Sequence, residues 1–171
     1  MLFTTHSLVG AALGSATGNP YAGFLGGFLS HHLMDALPHF DQGSFRVRER
    51  RALYLGDINF EENTIGTFGA RDWAMLFIDW LVSLILFAII FISSPPEQWG
   101  LIIIGALGGI LPDVVDSSPL WSIKLREKIP SMSKYNDFHG FFHWTVPAKK
   151  WPLGMLTQIL LIAASLWYLV F

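Results

Sequence analysis

Long apolar stretches alternate with two polar segments along this chain, and three of the stretches have the length of a membrane span. The clearest covers residues 73–93 and holds a single charged residue, Asp79. About 20 apolar residues at 1.5 Å each cross the ~30 Å hydrocarbon core of a bilayer. Residues 98–115 are rich in Ile, Leu and Gly, and residues 152–171 carry no charge. These three stretches predict transmembrane helices.

The N-terminal third is apolar in two shorter stretches that are interrupted at Gly18-Asn19-Pro20. Both contain several glycines and alanines, and small residues let membrane helices approach closely. The pattern therefore predicts one all-α domain over residues 1–171, a polytopic membrane bundle with a short interfacial helix near residues 135–146. The predicted spans, about five in number, are residues 2–17, 20–37, 73–93, 98–115 and 152–171.

The placement of positive charge predicts the orientation of this bundle. All 11 Lys and Arg residues fall in the two polar segments, residues 41–71 and 117–150. With five spans, these two loops lie on the same side of the membrane. Positively charged loops stay on the cytoplasmic side. We therefore expect a multi-pass protein of the inner (plasma) membrane with both long loops in the cytoplasm.

Composition excludes several classes of protein. Only 14% of the residues are charged and 52% are hydrophobic, whereas a soluble domain carries about 25% charged residues. A soluble all-α protein with very apolar helices is the alternative to a membrane bundle. The absence of cysteine excludes disulfides and thiolate metal sites. The net charge of −2 indicates no nucleic-acid partner, and nothing in the sequence indicates an oligomeric state.

The histidines gather at the predicted cytoplasmic face. One opens the first helix, three end the second, and two lie in the second cytoplasmic loop; they are His6, then His31, His32 and His39, then His139 and His143. A single histidine near a membrane interface is usually a polar group that reaches toward water. The clustering of all six on one side instead favours a shared role.

Spacing brings carboxylates into the same cluster. His31 and Asp35 lie four residues apart, as do His139 and His143, so each pair shares a helix face. Asp113 and Asp116 end the fourth span, three residues apart. If the side chains of each pair bind the same ion, the set predicts a site for one or two divalent ions. Zinc is the expected metal, and manganese and iron are the alternatives. Asp113 alone is also explained as a helix terminator. For Asp79 we expect a structural hydrogen bond to a neighbouring helix.

Short motifs spread over the chain resemble the small bacterial membrane-bound metal-dependent hydrolases, a family distantly similar to zinc-dependent phospholipase C. The motifs are Thr5-His6, Ser30-His31-His32-Leu33-Met34-Asp35, Leu111-Pro112-Asp113 and His139-Gly140-Phe141-Phe142-His143. In that family the Ser-His-x-x-x-Asp element usually comes last, whereas here it comes second. Because a site depends on geometry and not on chain order, the permuted order is compatible with the same site. The resemblance implies that six residues bind metal: His6, His31, Asp35, Asp113, His139 and His143.

The expected function is metal-dependent hydrolysis at the cytoplasmic leaflet, on a phospholipid or another lipid ester. A carboxylate that does not bind metal, Asp116 or Asp41, would accept the proton as general base. The sequence has no Gly-x-Ser-x-Gly motif and no cysteine, which argues against covalent serine or thiol catalysis. Two other functions fit the same residues: a transporter of divalent cations, and a non-catalytic membrane protein that a metal ion holds together.

Overall fold

A computed structural model describes residues 1–40, 69–146 and 150–171. All the regular elements in these ranges are helices, which confirms the all-α prediction. They are α1 (Phe3–Thr17), α2 (Pro20–Asp35), α3 (Ala70–Ser93), α4 (Pro96–Asp116), α5 (Ser122–Lys128), α6 (Pro130–Phe142) and α7 (Trp151–Val170).

Three of these helices, α3, α4 and α7, are long and apolar enough to cross a membrane. The prediction of five spans is not confirmed, because α1 and α2 have only 15 and 16 residues. At 1.5 Å per residue they are about 22 and 24 Å long, less than the ~30 Å of the hydrocarbon core. The first two helices are therefore a short hairpin beside three longer helices.

Helix α1 lies at the centre of the bundle and contacts α2, α3, α4 and α7. Glycines allow its backbone to touch that of α4. A methyl group on Gly10 would collide with the carbonyl oxygen of Gly105, and one on Gly109 would collide with the carbonyl oxygen of His6. Such close approach is how membrane helices gain packing energy without a hydrophobic driving force. It fixes the position of the first turns of α1 against the last turns of α4.

A tight turn at Gly18 and Asn19 joins α1 to α2. Gly18 has a φ of 60°, a left-handed conformation that favours glycine. The side chain of Asn19 accepts hydrogen bonds from the backbone N–H groups of Tyr21 (2.9 Å) and Ala22 (3.1 Å), which caps α2. The two helices consequently run antiparallel, and the N-terminus of α1 lies beside the C-terminus of α2.

Asp79 of α3 caps the buried start of α1. Its carboxylate accepts hydrogen bonds from the N–H groups of Phe3 (2.7 Å) and Thr4 (3.2 Å) and from the hydroxyl of Thr4 (2.6 Å). This confirms the expected structural hydrogen bond to a neighbouring helix. Since Asp79 lies nine residues beyond Ala70, α1 begins about 14 Å inside the end of α3. The bundle therefore has a recess above α1.

Helix α6 and the extended chain that follows it cover this recess. The interfacial helix predicted near residues 135–146 lies instead at residues 130–142. It ends at Phe142 because residues 144–146 make backbone hydrogen bonds with the chain after α2: His39 donates to Trp144 (3.1 Å), and Val146 donates to His39 (2.8 Å). The short α5 had no counterpart in the sequence prediction.

Candidate metal centre

The carboxylate of Asp35, at the end of α2, is the point where the elements around the recess meet. Asp35 is completely buried. Its Oδ2 atom lies 3.3 Å from Nε2 of His31, 3.5 Å from Nε2 of His139 and 3.4 Å from Nε2 of His143. Four of the six residues implied by the resemblance are thus in contact, although His139 and His143 lie more than 100 positions further along the chain than Asp35.

The other oxygen of Asp35 faces the N-terminal segment. Its Oδ1 atom lies 2.8 Å from the α-amino nitrogen of Met1 and 3.1 Å from Nε2 of His6. It also lies 3.8 Å from Nε2 of His39, which is buried. His6 stacks on His31, with ring centroids 3.8 Å apart. The hairpin of α1 and α2 therefore places the fifth implied residue beside the others.

Asp113 is the sixth implied residue, and it approaches from α4. Its Oδ1 atom lies 3.7 Å from Nε2 of both His31 and His139, and its Oδ2 atom lies 4.0 Å from Nε2 of His6. Helix α4 continues past Pro112 to Asp116, so Asp113 keeps a helical orientation. The structure thus brings together all six residues implied by the resemblance.

Three overlapping groups in this cluster have the compactness of a metal site, with one ligand atom per residue and all ligand atoms within 4.8 Å of one another. They are His6–His31–Asp113, Asp35–His139–His143 and His31–His32–His139. Imidazole nitrogens and carboxylate oxygens are donors that zinc prefers. The described part of the chain therefore offers enough ligands for more than one divalent ion.

The Nδ1 atoms of two central histidines donate hydrogen bonds to acceptors outside the cluster. Nδ1 of His31 donates to the carbonyl oxygen of Gly109 (2.8 Å), and Nδ1 of His139 donates to Oδ2 of Asp116 (2.9 Å). In a neutral imidazole the proton is then on Nδ1, so Nε2 carries a lone pair. Nε2 of His31 and Nε2 of His139 nevertheless lie only 3.0 Å apart. Two lone pairs at this distance repel each other unless a cation or a further proton lies beside them.

A buried oxygen without a hydrogen bond marks the same place. Oδ2 of Asp35 accepts no hydrogen bond within the described ranges, although it faces three imidazoles. A buried carboxylate without compensation is costly, and most buried polar atoms have partners. A divalent cation among these nitrogens and oxygens would satisfy Asp35 and remove the repulsion between the imidazoles. The residues present therefore fit a metal ion.

In the absence of metal, a proton relieves part of this repulsion. Burial lowers the pKa of His139, but the hydrogen bond to Asp116 and the nearby carboxylates of Asp35 and Asp113 outweigh the burial and raise that pKa to about 10. His139 is thus protonated at neutral pH when no metal is bound. A metal ion that binds to His139 displaces this proton.

Asp116, one of the two expected general bases, lies behind His139. Besides the bond from His139, its Oδ2 atom accepts a hydrogen bond from Nδ2 of Asn136 (2.9 Å), and its Oδ1 atom accepts one from Nη1 of Arg126 (3.2 Å). Both carboxylate oxygens are therefore occupied. The other expected base, Asp41, lies outside the described residues.

His32 belongs to the cluster although helical spacing did not predict it. Its side chain is buried among Phe138, Phe142 and His139. Neither ring nitrogen has a hydrogen-bond partner in the part of the chain that the structure describes. The four-residue spacing rule selects His31 because it shares a face with Asp35. Since α6 packs over the neighbouring face of α2, His32 is enclosed as well.

No family model matches the chain, and no curated protein or solved structure matches it either. The similarity to the membrane-bound hydrolases therefore depends on the short motifs alone. The functional conclusion depends on the geometry of the histidines and aspartates.

Proposed function

We propose that the protein is a membrane-embedded metal-dependent hydrolase that acts at the cytoplasmic leaflet on a lipid ester, with zinc as its metal. The observation that carries the proposal is the surroundings of Oδ2 of Asp35, which has three imidazole nitrogens within 3.5 Å and no hydrogen bond from the described residues. Such a buried cluster of acceptors is a characteristic environment for a divalent cation.

The ligands divide into two sets that share Asp35 as a neighbour. One set is His6, His31 and Asp113, and the other is Asp35, His139 and His143. A zinc ion held by these residues would supply a Lewis acid, which lowers the pKa of a water molecule toward about 7 and polarises the oxygen of an ester. The chain supplies the orientation of the ligands, because the carbonyl of Gly109 holds His31 and Asp116 holds His139.

We assign Asp116 to the positioning of His139, not to proton transfer. Both of its oxygens already accept hydrogen bonds, and its side chain is only 2% exposed. Where a carboxylate holds a metal-bound histidine in this way, its mutation typically lowers the metal affinity or the activity 10- to 100-fold. Asp41 remains the expected general base.

Access to the cluster favours catalysis over a purely structural ion. The side chain of Asp113 is 22% exposed and that of His143 is 17% exposed, whereas those of His6, His31 and Asp35 are fully buried. A catalytic metal keeps a position open to water or substrate, whereas a structural one is fully ligated. The opening at Asp113 and His143 provides such a position.

The position of the candidate ligands argues against a transporter. Transporters bind their ion near the bilayer midplane, on discontinuous helices. Beneath His6, the backbones of α1 and α4 touch at Gly10 and Gly105 and again at Gly14 and Leu101. The candidate ligands lie beyond these contacts, at the ends of α1, α2 and α4 and not at their middle.

Elemental analysis of the purified protein tests the proposal. We expect near-stoichiometric zinc or another divalent metal in the wild type, little in His31→Ala and His143→Ala, and an unchanged amount in Asp137→Ala, an exposed carboxylate on the same helix as His139. Hydrolysis of phospholipid in vesicles should follow metal content across the four proteins. Metal that persists in both histidine variants would contradict the assignment of the metal site. Metal without lipid hydrolysis in the wild type would contradict the proposed enzymatic activity.

A further inference from the structure

A cavity of about 360 Å³ lies beside the metal centre, outside the ring of histidines. It is enclosed by the start of α1, the first half of α3 and the chain from the end of α4 to Trp121. Most of its wall is apolar: Leu76, Phe77 and Trp80 lie on one side, and Leu120 and Trp121 on the other. Its volume is at the lower end of the range for small-molecule sites, which is about 300–1,000 Å³.

Asp113 joins this cavity to the metal centre. Asp113 lines the cavity wall, and its carboxylate belongs to the group formed with His6 and His31. With 22% of its side chain exposed, Asp113 is the most accessible of the six implied ligands. A molecule that fills the cavity therefore ends within contact distance of a candidate metal ligand.

The cavity borders an exposed apolar face of α3. Phe77 and Trp80, on its rim, are 69% and 51% exposed. The last charged residue before this stretch of α3 is Asp72, so Leu76 and Trp80 lie about 6 and 12 Å further along the helix axis. That depth corresponds to the interface and the upper part of the acyl chains, where tryptophan is enriched. This face is thus directed at lipid and not at water.

We propose that this cavity holds one acyl chain of a membrane phospholipid, which enters sideways from the bilayer and brings its ester bond to Asp113. The inference rests on the proposed hydrolase function and specifies the substrate class. An apolar chain fits the wall of Leu76, Phe77 and Leu120, whose burial is favourable by roughly 25 cal/mol per Å² of apolar surface. The ester, which lies at the polar end of such a chain, then lies beside Asp113.

Photo-cross-linking tests the occupant without requiring turnover. The probe is a phosphatidylcholine with a diazirine in one acyl chain, mixed into vesicles that contain the full chain. In the wild type we expect mass spectrometry to find cross-links concentrated at Leu76–Trp80 and Leu120–Trp121. Cross-links spread evenly along the lipid-facing side of α3, as an unselective surface would give, would overturn the proposal.

Two variants reduce the cavity from opposite walls, and a third is a matched control. Leu76→Trp and Leu120→Trp should lose most of the cavity cross-links while they keep the metal content of the wild type. Leu84→Trp adds the same bulk to an exposed lipid-facing position of α3 outside the cavity and should label as the wild type does. Unchanged labelling in both cavity variants would contradict the inference, and agreement between the two guards against misfolding of either one.

The metal-deficient variant His31→Ala separates this inference from the proposed function. Two results together would show a lipid-binding cavity without a hydrolase. The cavity would still be labelled in His31→Ala, and the wild type would contain metal but would not hydrolyse lipid. Hydrolysis by a wild type whose cavity is not labelled would retain the enzyme and refute the acyl-chain site. We expect that in Leu76→Trp both cavity labelling and hydrolysis decline while the metal content stays constant.

Discussion

At the scale of the residue, Asp35 carries the greatest concentration of interactions in the described part of the chain. It is buried, bears a charge and touches groups from the N-terminus, α2, α6 and the segment after α6. Residues four apart on a helix could be paired from the sequence, so His31 with Asp35 was predictable. The contacts of His39 were not, because they depend on the backbone hydrogen bonds between His39 and residues 144–146, which no helical periodicity encodes.

The role of Asp116 leads to a prediction at this scale. Asp116→Asn keeps the shape of the side chain but weakens the hydrogen bond that holds Nδ1 of His139, so we expect metal affinity to fall by about 10- to 100-fold. Saturating metal should then restore most of the hydrolysis. Titration with a competing chelator measures the affinity. Unchanged affinity combined with lost hydrolysis would instead show that Asp116 acts as the general base.

At the scale of the element, most helix limits follow from apolar runs and their interruptions. The structural bounds of α1, α2, α3, α4 and α7 lie within three residues of those predicted. Helices α5 and α6 were harder, because they are short and polar and their ends are set by tertiary contacts. The segment after Phe142 would have continued the helix by its periodicity, but backbone bonds to His39 make it extended.

The contact between α1 and α4 gives a prediction at the scale of the element. Gly109→Ala places a methyl group against the carbonyl of His6, and such overpacking costs about 1–3 kcal/mol. Since the Gly109 carbonyl also holds His31, metal affinity should decrease too. Gly100→Ala is the matched control, because nothing lies within 4 Å of its added methyl group. Thermal unfolding in detergent and metal titration measure the two effects; equal behaviour of both variants would refute the close contact.

At the scale of the whole molecule, the candidate metal centre forms where two helices are short. Helices α1 and α2 occupy only part of the length of α3 and α4, and the space they leave is where His139 of α6 and His143 enter. The sequence predicted that all histidines lie on one side, but it did not predict the recess, since it counted the two shorter N-terminal helices among five spans and left their depth open. The depth of α1 became clear only from its hydrogen bonds to Asp79.

The six candidate ligands come from α1, α2, α4, α6 and the chain after α6, so under the proposed function removal of metal should weaken the whole bundle. A ligand present at 1,000 times its Kd stabilises a protein by about 4 kcal/mol. We therefore expect chelation to lower the unfolding temperature and added Zn²⁺ to restore it. Mg²⁺ should restore little, because imidazole ligands suit zinc better. An unfolding temperature that chelation leaves unchanged would argue against a bound metal that links these helices.

The glycine contact between α1 and α4 also has a consequence for biosynthesis. Gly105 follows Gly10 by 95 positions, and chains are made at about 5–20 residues per second. The hairpin of α1 and α2 therefore waits on the order of 5–20 s for the helix against which it packs. During this interval the glycines of α1 and α2 that pack on α4, Gly10 and Gly27, lack that partner, and His6 and His31 lack Asp113. The nascent chain reaches its stable arrangement only when α4 has been inserted, so the first half of the protein depends on the second for its own folding.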